Sequence, residues 1–247
     1  MSQNDIEYQT AQIEKNLKAI HSRMARAAEK TDRELSEIKL IAVTKLMPLE
    51  TIKAAINAGL RCFGENYPEQ AAEKIVGLKT DQDIEWHMIG HIQSRKANTV
   101  CEYFNVVHSL DRMKIARYLN RYSGEVKRRL QVLIEVNVSG EESKYGWQAT
   151  DEAIWIELVP QFQQITELPN LEIRGLMSMP PLFENAELTR PIYRKLRKLQ
   201  QFLRDRIPEA AWDELSIGTS FDFEVAIEEG ATMVRIGTEI FGTRHEL

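Results

Sequence analysis

Ile38-Lys39-Leu40-Ile41-Ala42-Val43, then Pro48, then Gly59, then Arg61-Cys62-Phe63-Gly64: this stretch decides the fold. The first run is apolar enough for a strand covered on both faces. Pro48 stands where a helix opens and Gly59 just past where it closes, the usual asymmetry of helix ends. The second run is another strand. Strand, helix, strand is the unit that builds parallel sheets.

The unit recurs along the rest of the chain. Further strands are predicted at Ile84–Ile89, Phe104–Leu110, Leu130–Val138, Leu171–Leu176, Leu215–Ile217 and Thr232–Ile236. Helices are predicted between them, near Tyr67–Val76, Arg95–Tyr103, after a cap at Asp111, and at Asp151–Thr166, Glu187–Arg206 and Phe221–Glu229. Ahead of the first strand, Ile13, Leu17, Ile20 and Met24 recur at helical spacing and predict one amphipathic helix from Ile6 to about Lys30. A leading helix and eight strand–helix units in 247 residues predict one α/β domain over residues 1–247, a (β/α)8 TIM-type barrel. No Gly-x-Gly-x-x-Gly follows the first strand, which takes the main support from an open dinucleotide-binding sheet.

Composition narrows the function. The formal charge is −5 with no dominant basic stripe, so nucleic acid is not expected as a partner. The basic run Arg190–Arg206 alternates with Ile192, Leu196, Leu199 and Leu203 and reads as the wet face of a helix. No apolar run approaches the ~20 residues that span a bilayer, and the first residues do not resemble a signal peptide, so the cytoplasm is the default compartment. Cys62 and Cys101 lack metal-ligand spacing and read as small buried thiols. Trp86-His87-Met88 has no partner at ligand spacing, and no metal is expected.

A barrel gathers its site at the C-terminal ends of its strands. Lys45, Glu65, Asn66, His87, His108, Ser109, Asn137, Ser178, Ser216, Gly218, Thr219, Ser220, Arg235, Gly237 and Thr238 all fall in or just past predicted strands. Lys45 is either a solvated strand-end charge or a desolvated amine able to attack a carbonyl. Ser216-Ile217-Gly218-Thr219-Ser220 and Arg235-Ile236-Gly237-Thr238 end strands seven and eight, where barrels often bind phosphate with turns and a helix start. Arg235 sits in an apolar strand and must pair internally, with Asp222 or Glu224, or point into a polar pocket.

Ala42–Lys45, Phe63–Tyr67, Trp86–Ser94, Gly175–Ser178, Leu215–Ser220 and Val234–Gly242 together resemble the pyridoxal-phosphate homeostasis protein family, itself similar to the barrel of alanine racemase. The resemblance runs from about residue 6 to Arg244. It implies a barrel holding pyridoxal 5′-phosphate, with Lys45 as the Schiff-base lysine and Arg235 toward the pyridine nitrogen. It further implies Ser216, Gly237 and Thr238 on the phosphate with Ser220 close by, and Asn66 and His87 lining the pocket. Ile217 and Thr219 stand where the family commonly has methionine, and Arg95 where asparagine is common.

The family has no established turnover and is thought to buffer or deliver the cofactor and to influence amino-acid balance. Transient contact with apo forms of pyridoxal-phosphate enzymes is the implied partnership, with a monomer expected. The alternative is a small racemase-like enzyme. Racemisation needs acid/base groups on both faces of the substrate, and no second domain is expected after strand eight to supply one. A third reading, a barrel acting on a phosphorylated metabolite without a cofactor, gives Lys45 and Arg235 less specific work.

Overall fold

The computed structural model describes residues 3–78, 83–141 and 143–242. Arg244, the end of the resembling stretch, lies outside them. Eight strands form the barrel: β1 Lys39–Val43, β2 Cys62–Glu65, β3 Glu85–Met88, β4 Val106–Leu110, β5 Leu130–Asn137, β6 Leu171–Met177, β7 Glu214–Thr219 and β8 Met233–Ile236. Each pairs in parallel with its neighbours, and the ring closes where Leu40 and Ala42 of β1 register with Val234 and Ile236 of β8. A two-residue strand, Trp147–Gln148, adds to the end of β5.

The helices are α1 Gln3–Glu29, α2 Leu49–Asn57, α3 Pro68–Leu78, α4 Ala97–Tyr103, α5 Met113–Glu125, α6 Trp155–Thr166, α7 Arg190–Arg206, α8 Phe223–Glu228 and α9 Thr238–Phe241. α1 buries Ile13, Leu17, Ile20, Met24, Ala27 and Ala28, its predicted apolar face and one turn more. That face packs on α2, α8 and α9. Arg23 fastens it, reaching Glu224 and Glu239 at 2.7 Å each and lying 4.5 Å over the Phe223 ring. On α7 the basic residues meet acids: Arg190 pairs with Glu187, Glu228 and Glu229, while Leu196, Leu199 and Leu203 are buried.

The main apolar core lies between barrel and helices. A small separate cluster, Ile41, Val106, Leu133, Met177 and Met233, fills part of the barrel interior. No helix among the described residues is long and apolar enough to cross a membrane.

Two local expectations are corrected. Asp111 does not cap α5: the cap position is Arg112, and the Asp111 carboxylate lies 2.9 Å from His91 Nδ1 instead. Cys62 begins β2 and is only half-buried.

Candidate functional site

A cleft of about 580 Å³ opens at the C-terminal end of the barrel, a volume suited to a small-molecule cofactor. Lys45, Asn66, Ser220, Arg235, Gly237 and Thr238 all line it. His87, Ser178, Ser216 and Gly218 do not; they lie behind it.

The turn that carries Lys45 is held from both sides. Thr44 Oγ1 donates to Glu65 Oε1 at 2.8 Å. Lys74, from α3, donates to the same carboxylate oxygen at 2.8 Å and to the Thr44 carbonyl at 3.0 Å. Glu65 is fully buried, so this ion pair is shielded from water. Leu46, the next residue, takes φ +62°, a conformation that an L side chain adopts only under constraint. Asn66 is seated by close backbone approach: a Cβ on Gly90 would come within 2.5 Å of the Asn66 carbonyl oxygen.

The opposite wall comes from the ends of β7 and β8. Asp222 accepts from the Thr219 N–H at 2.8 Å and from its hydroxyl at 2.9 Å, which fixes the Ser220–Phe221 turn. Asp222 also accepts from Tyr193 on α7. Gly237 and Thr238 begin α9, and the first N–H groups of a helix have no acceptor within it. Such a start suits an anion.

Arg235 rises between the two walls, 4% exposed. Its guanidinium donates to the Ser216 carbonyl at 2.7 Å, to the Ser216 hydroxyl oxygen, and to the Ser178 carbonyl at 3.3 Å. Ser178 is anchored in turn by its hydroxyl on the Val136 carbonyl at 2.8 Å. The internal pairing expected with Asp222 or Glu224 is not what holds Arg235. Asp222 is taken by Thr219 and Tyr193, and Glu224 by Arg23. Burial lowers the Arg235 pKa from the ordinary arginine value, and Tyr193, Asp222 and Glu135 oppose that shift.

Behind Arg235 a file of buried polar groups runs through the barrel. Ser216 Oγ lies 2.7 Å from His108 Nδ1, and His108 Nε2 lies 2.8 Å from His87 Nδ1. Burial drives the His108 pKa well below its usual value, so the ring is neutral. His87 thus supports this file rather than lining the cleft. Gly218, at φ +89°, lets α8 close on β7: a Cβ there would sit 2.6 Å from Ala226 Cβ.

Three cleft residues with polar side chains have no counterpart among the sequence assignments. Glu135, near the end of β5, is 8% exposed, and burial together with nearby Asp111 pushes its carboxyl up to about 7. Its signal was there, an acid inside an otherwise apolar strand. His91 and Tyr145 stack at the mouth with ring centroids 4.0 Å apart. Tyr145 sits in the loop after β5, where strand reasoning gives no direction.

The geometry matches that of known proteins. The profile described as "Alanine racemase, N-terminal domain" matches residues 13–245. A relative from Vibrio alginolyticus named "Pyridoxal phosphate homeostasis protein" is 43% identical over 235 residues, covering 94% of this chain and 97% of its own. The chain belongs to the pyridoxal phosphate homeostasis protein family. The Escherichia coli K12 member is 39% identical over 243 residues, 98% of this chain and 97% of its own. PipY of Synechococcus elongatus PCC7942, in a structure described as having PLP bound, superposes with a TM-score of 0.81 at 32% identity. That match covers 93% of this chain and 100% of PipY. Alanine racemase of Clostridium difficile 630 shares the fold alone, at 14% identity and a TM-score of 0.65, with 96% of this chain matched to 58% of that one.

Proposed function

We propose that the cleft binds pyridoxal 5′-phosphate and that the protein serves intracellular homeostasis of this cofactor, residues 1–247 acting as one unit in the cytoplasm. One observation carries the reading: Lys45 lines the same cleft as Ser220, Gly237 and Thr238, with Arg235 between them. Lys45 on one wall would meet the cofactor's aldehyde, and the hydroxyl and N–H donors of Ser220, Gly237 and Thr238 would hold its phosphate at the other. When bound, the cofactor supplies an aldehyde that condenses with amines and a ring that can withdraw electrons. Ser216 and Ser178 orient Arg235, and Asp222 holds the phosphate turn.

The protein carries the cofactor rather than turning amino acids over. Support comes from the family's name and from Arg235, whose guanidinium only donates hydrogen bonds. A ring nitrogen facing it would stay unprotonated, which would weaken electron withdrawal. Borohydride reduction of the loaded protein followed by peptide mapping tests the cofactor assignment. Pyridoxyl on Lys45 at one equivalent is expected; the label mainly on another lysine would overturn it.

A further inference from the structure

The opposite end of the barrel has its own cleft, about 820 Å³, lined among others by Cys62 and Glu85. Cys62 and Glu85 are register partners on β2 and β3, and His87 follows two residues along β3 on the same face as Glu85. A cysteine sulfur, a carboxylate oxygen and an imidazole nitrogen from these residues lie within 4.8 Å of one another.

The two edges that meet at Glu85 are close to those of a coordination sphere. Cys62 Sγ lies 3.5 Å from Glu85 Oε2, and His87 Nε2 lies 3.6 Å from the same oxygen. A tetrahedral zinc ion, with bonds of about 2.3 Å to sulfur and about 2.0 Å to oxygen and nitrogen, needs edges of roughly 3.5 Å and roughly 3.3 Å there. The His87–Glu85 separation is too long for a hydrogen bond. His87 Nε2 is buried with no hydrogen-bond partner among the described residues. Its other nitrogen, Nδ1, is bonded to His108. With the proton on Nδ1, Nε2 presents a lone pair into the cluster. A metal-binding histidine is ordinarily oriented by such a bond from its other nitrogen.

We propose that Cys62, Glu85 and His87 form a site for a divalent transition metal, zinc by preference, at the N-terminal end of the barrel. Sulfur and imidazole together select such an ion over magnesium or calcium. Three protein ligands leave a fourth position for water from the cleft. The Cys62 thiol releases its proton to solvent as the ion binds. Lys39 is the built-in competitor: its ammonium lies 2.7 Å from Glu85 Oε2 and withdraws toward solvent when the metal takes that oxygen. The site is independent of the pyridoxal-phosphate reading.

The test is zinc titration of the purified full-length protein against a chromophoric chelator, with cobalt(II) as the spectroscopic probe. One equivalent should bind, and cobalt should give a thiolate charge-transfer band. Cys62→Ser should keep its thermal unfolding midpoint, lose the band and weaken zinc binding by at least about tenfold, the scale set by removing even an outer partner of a ligand. Lys39→Met should bind zinc more tightly than the parent. Equal zinc affinity in the parent and Cys62→Ser, or no zinc binding by either the parent or Lys39→Met, would overturn the proposal.

Discussion

Arg235 donates twice to Ser216, to its carbonyl oxygen at 2.7 Å and to its hydroxyl oxygen at 2.5 Å. Ser216 therefore stands behind the guanidinium, away from the cleft. Ser216→Ala keeps the carbonyl bond but leaves His108 Nδ1 without its partner in a fully buried position. A loss of about 1–3 kcal/mol in urea unfolding is expected. Affinity for pyridoxal phosphate and for pyridoxal should fall by the same factor. Thr238→Val, at the cleft wall, should weaken the phosphorylated form by about tenfold and leave pyridoxal nearly unchanged. Equilibrium dialysis with both ligands separates the two roles; a phosphate-selective loss in Ser216→Ala would put that hydroxyl on the ligand.

Glu135 gives the cleft a charge that changes near neutrality. Its carboxyl is raised to about 7, chiefly by burial. It is neutral below that value and anionic above it, and it lines the same cleft as the residues proposed to hold the phosphate, itself an anion. Cofactor affinity in the parent should fall relative to Glu135→Gln as pH rises from 6 to 8, and the ratio of the two dissociation constants reports it. The stability effect has the same sign. The folded pKa lies above the unfolded one, so this contribution is whole below about pH 4.5 and is lost as pH rises through 7. The shift corresponds to roughly 3 kcal/mol at ~1.4 kcal/mol per pH unit. A parent-to-variant stability difference that stays flat from pH 4.5 to 8 would remove Glu135 from this role.

The Lys74–Glu65 pair should be costly to break from one side. Lys74→Met leaves a buried carboxylate uncompensated and loosens the Thr44–Lys45 turn. A loss of about 3 kcal/mol is expected, measured by denaturant unfolding without cofactor. The double variant with Glu65→Leu should recover much of it, because two apolar groups need no charge partner.

Turnover is the remaining test. The loaded protein, held with L- and D-amino acids in deuterated water, should show no α-hydrogen exchange near the ~10 s⁻¹ typical of enzymes. Exchange at that rate, followed by proton NMR, would make the racemase-like alternative the correct reading.

Much of this was legible in the residues. Strand–helix alternation located all eight barrel strands, and the strand-end rule brought Lys45, Asn66, Ser220, Arg235, Gly237 and Thr238 to one cleft. Depth was not legible. His87, Ser178, Ser216 and Gly218 come from the same strand ends, yet they sit behind the layer that lines the cleft. Their distance along the barrel axis depends on strand stagger, which no local pattern encodes. The β2–β3 register hid Cys62 beside Glu85 for the same reason. Asp111 looked like a helix cap, but His91, brought close by tertiary packing, claims its carboxylate.

The seam between β1 and β8 has a consequence for how the chain is made. β1 is among the first barrel segments to leave the ribosome, and Met233–Ile236 the last. Until β8 emerges, β1 lacks the partner whose pairing closes the ring. The face of α1 that Arg23 fastens to Glu224 and Glu239 also waits for α8 and α9. Earlier segments can form strand–helix units as they are synthesised, but they expose an unpaired strand edge to other nascent chains and to chaperones. Truncation just before the last strand should leave an open sheet that aggregates, read by light scattering of the shortened chain.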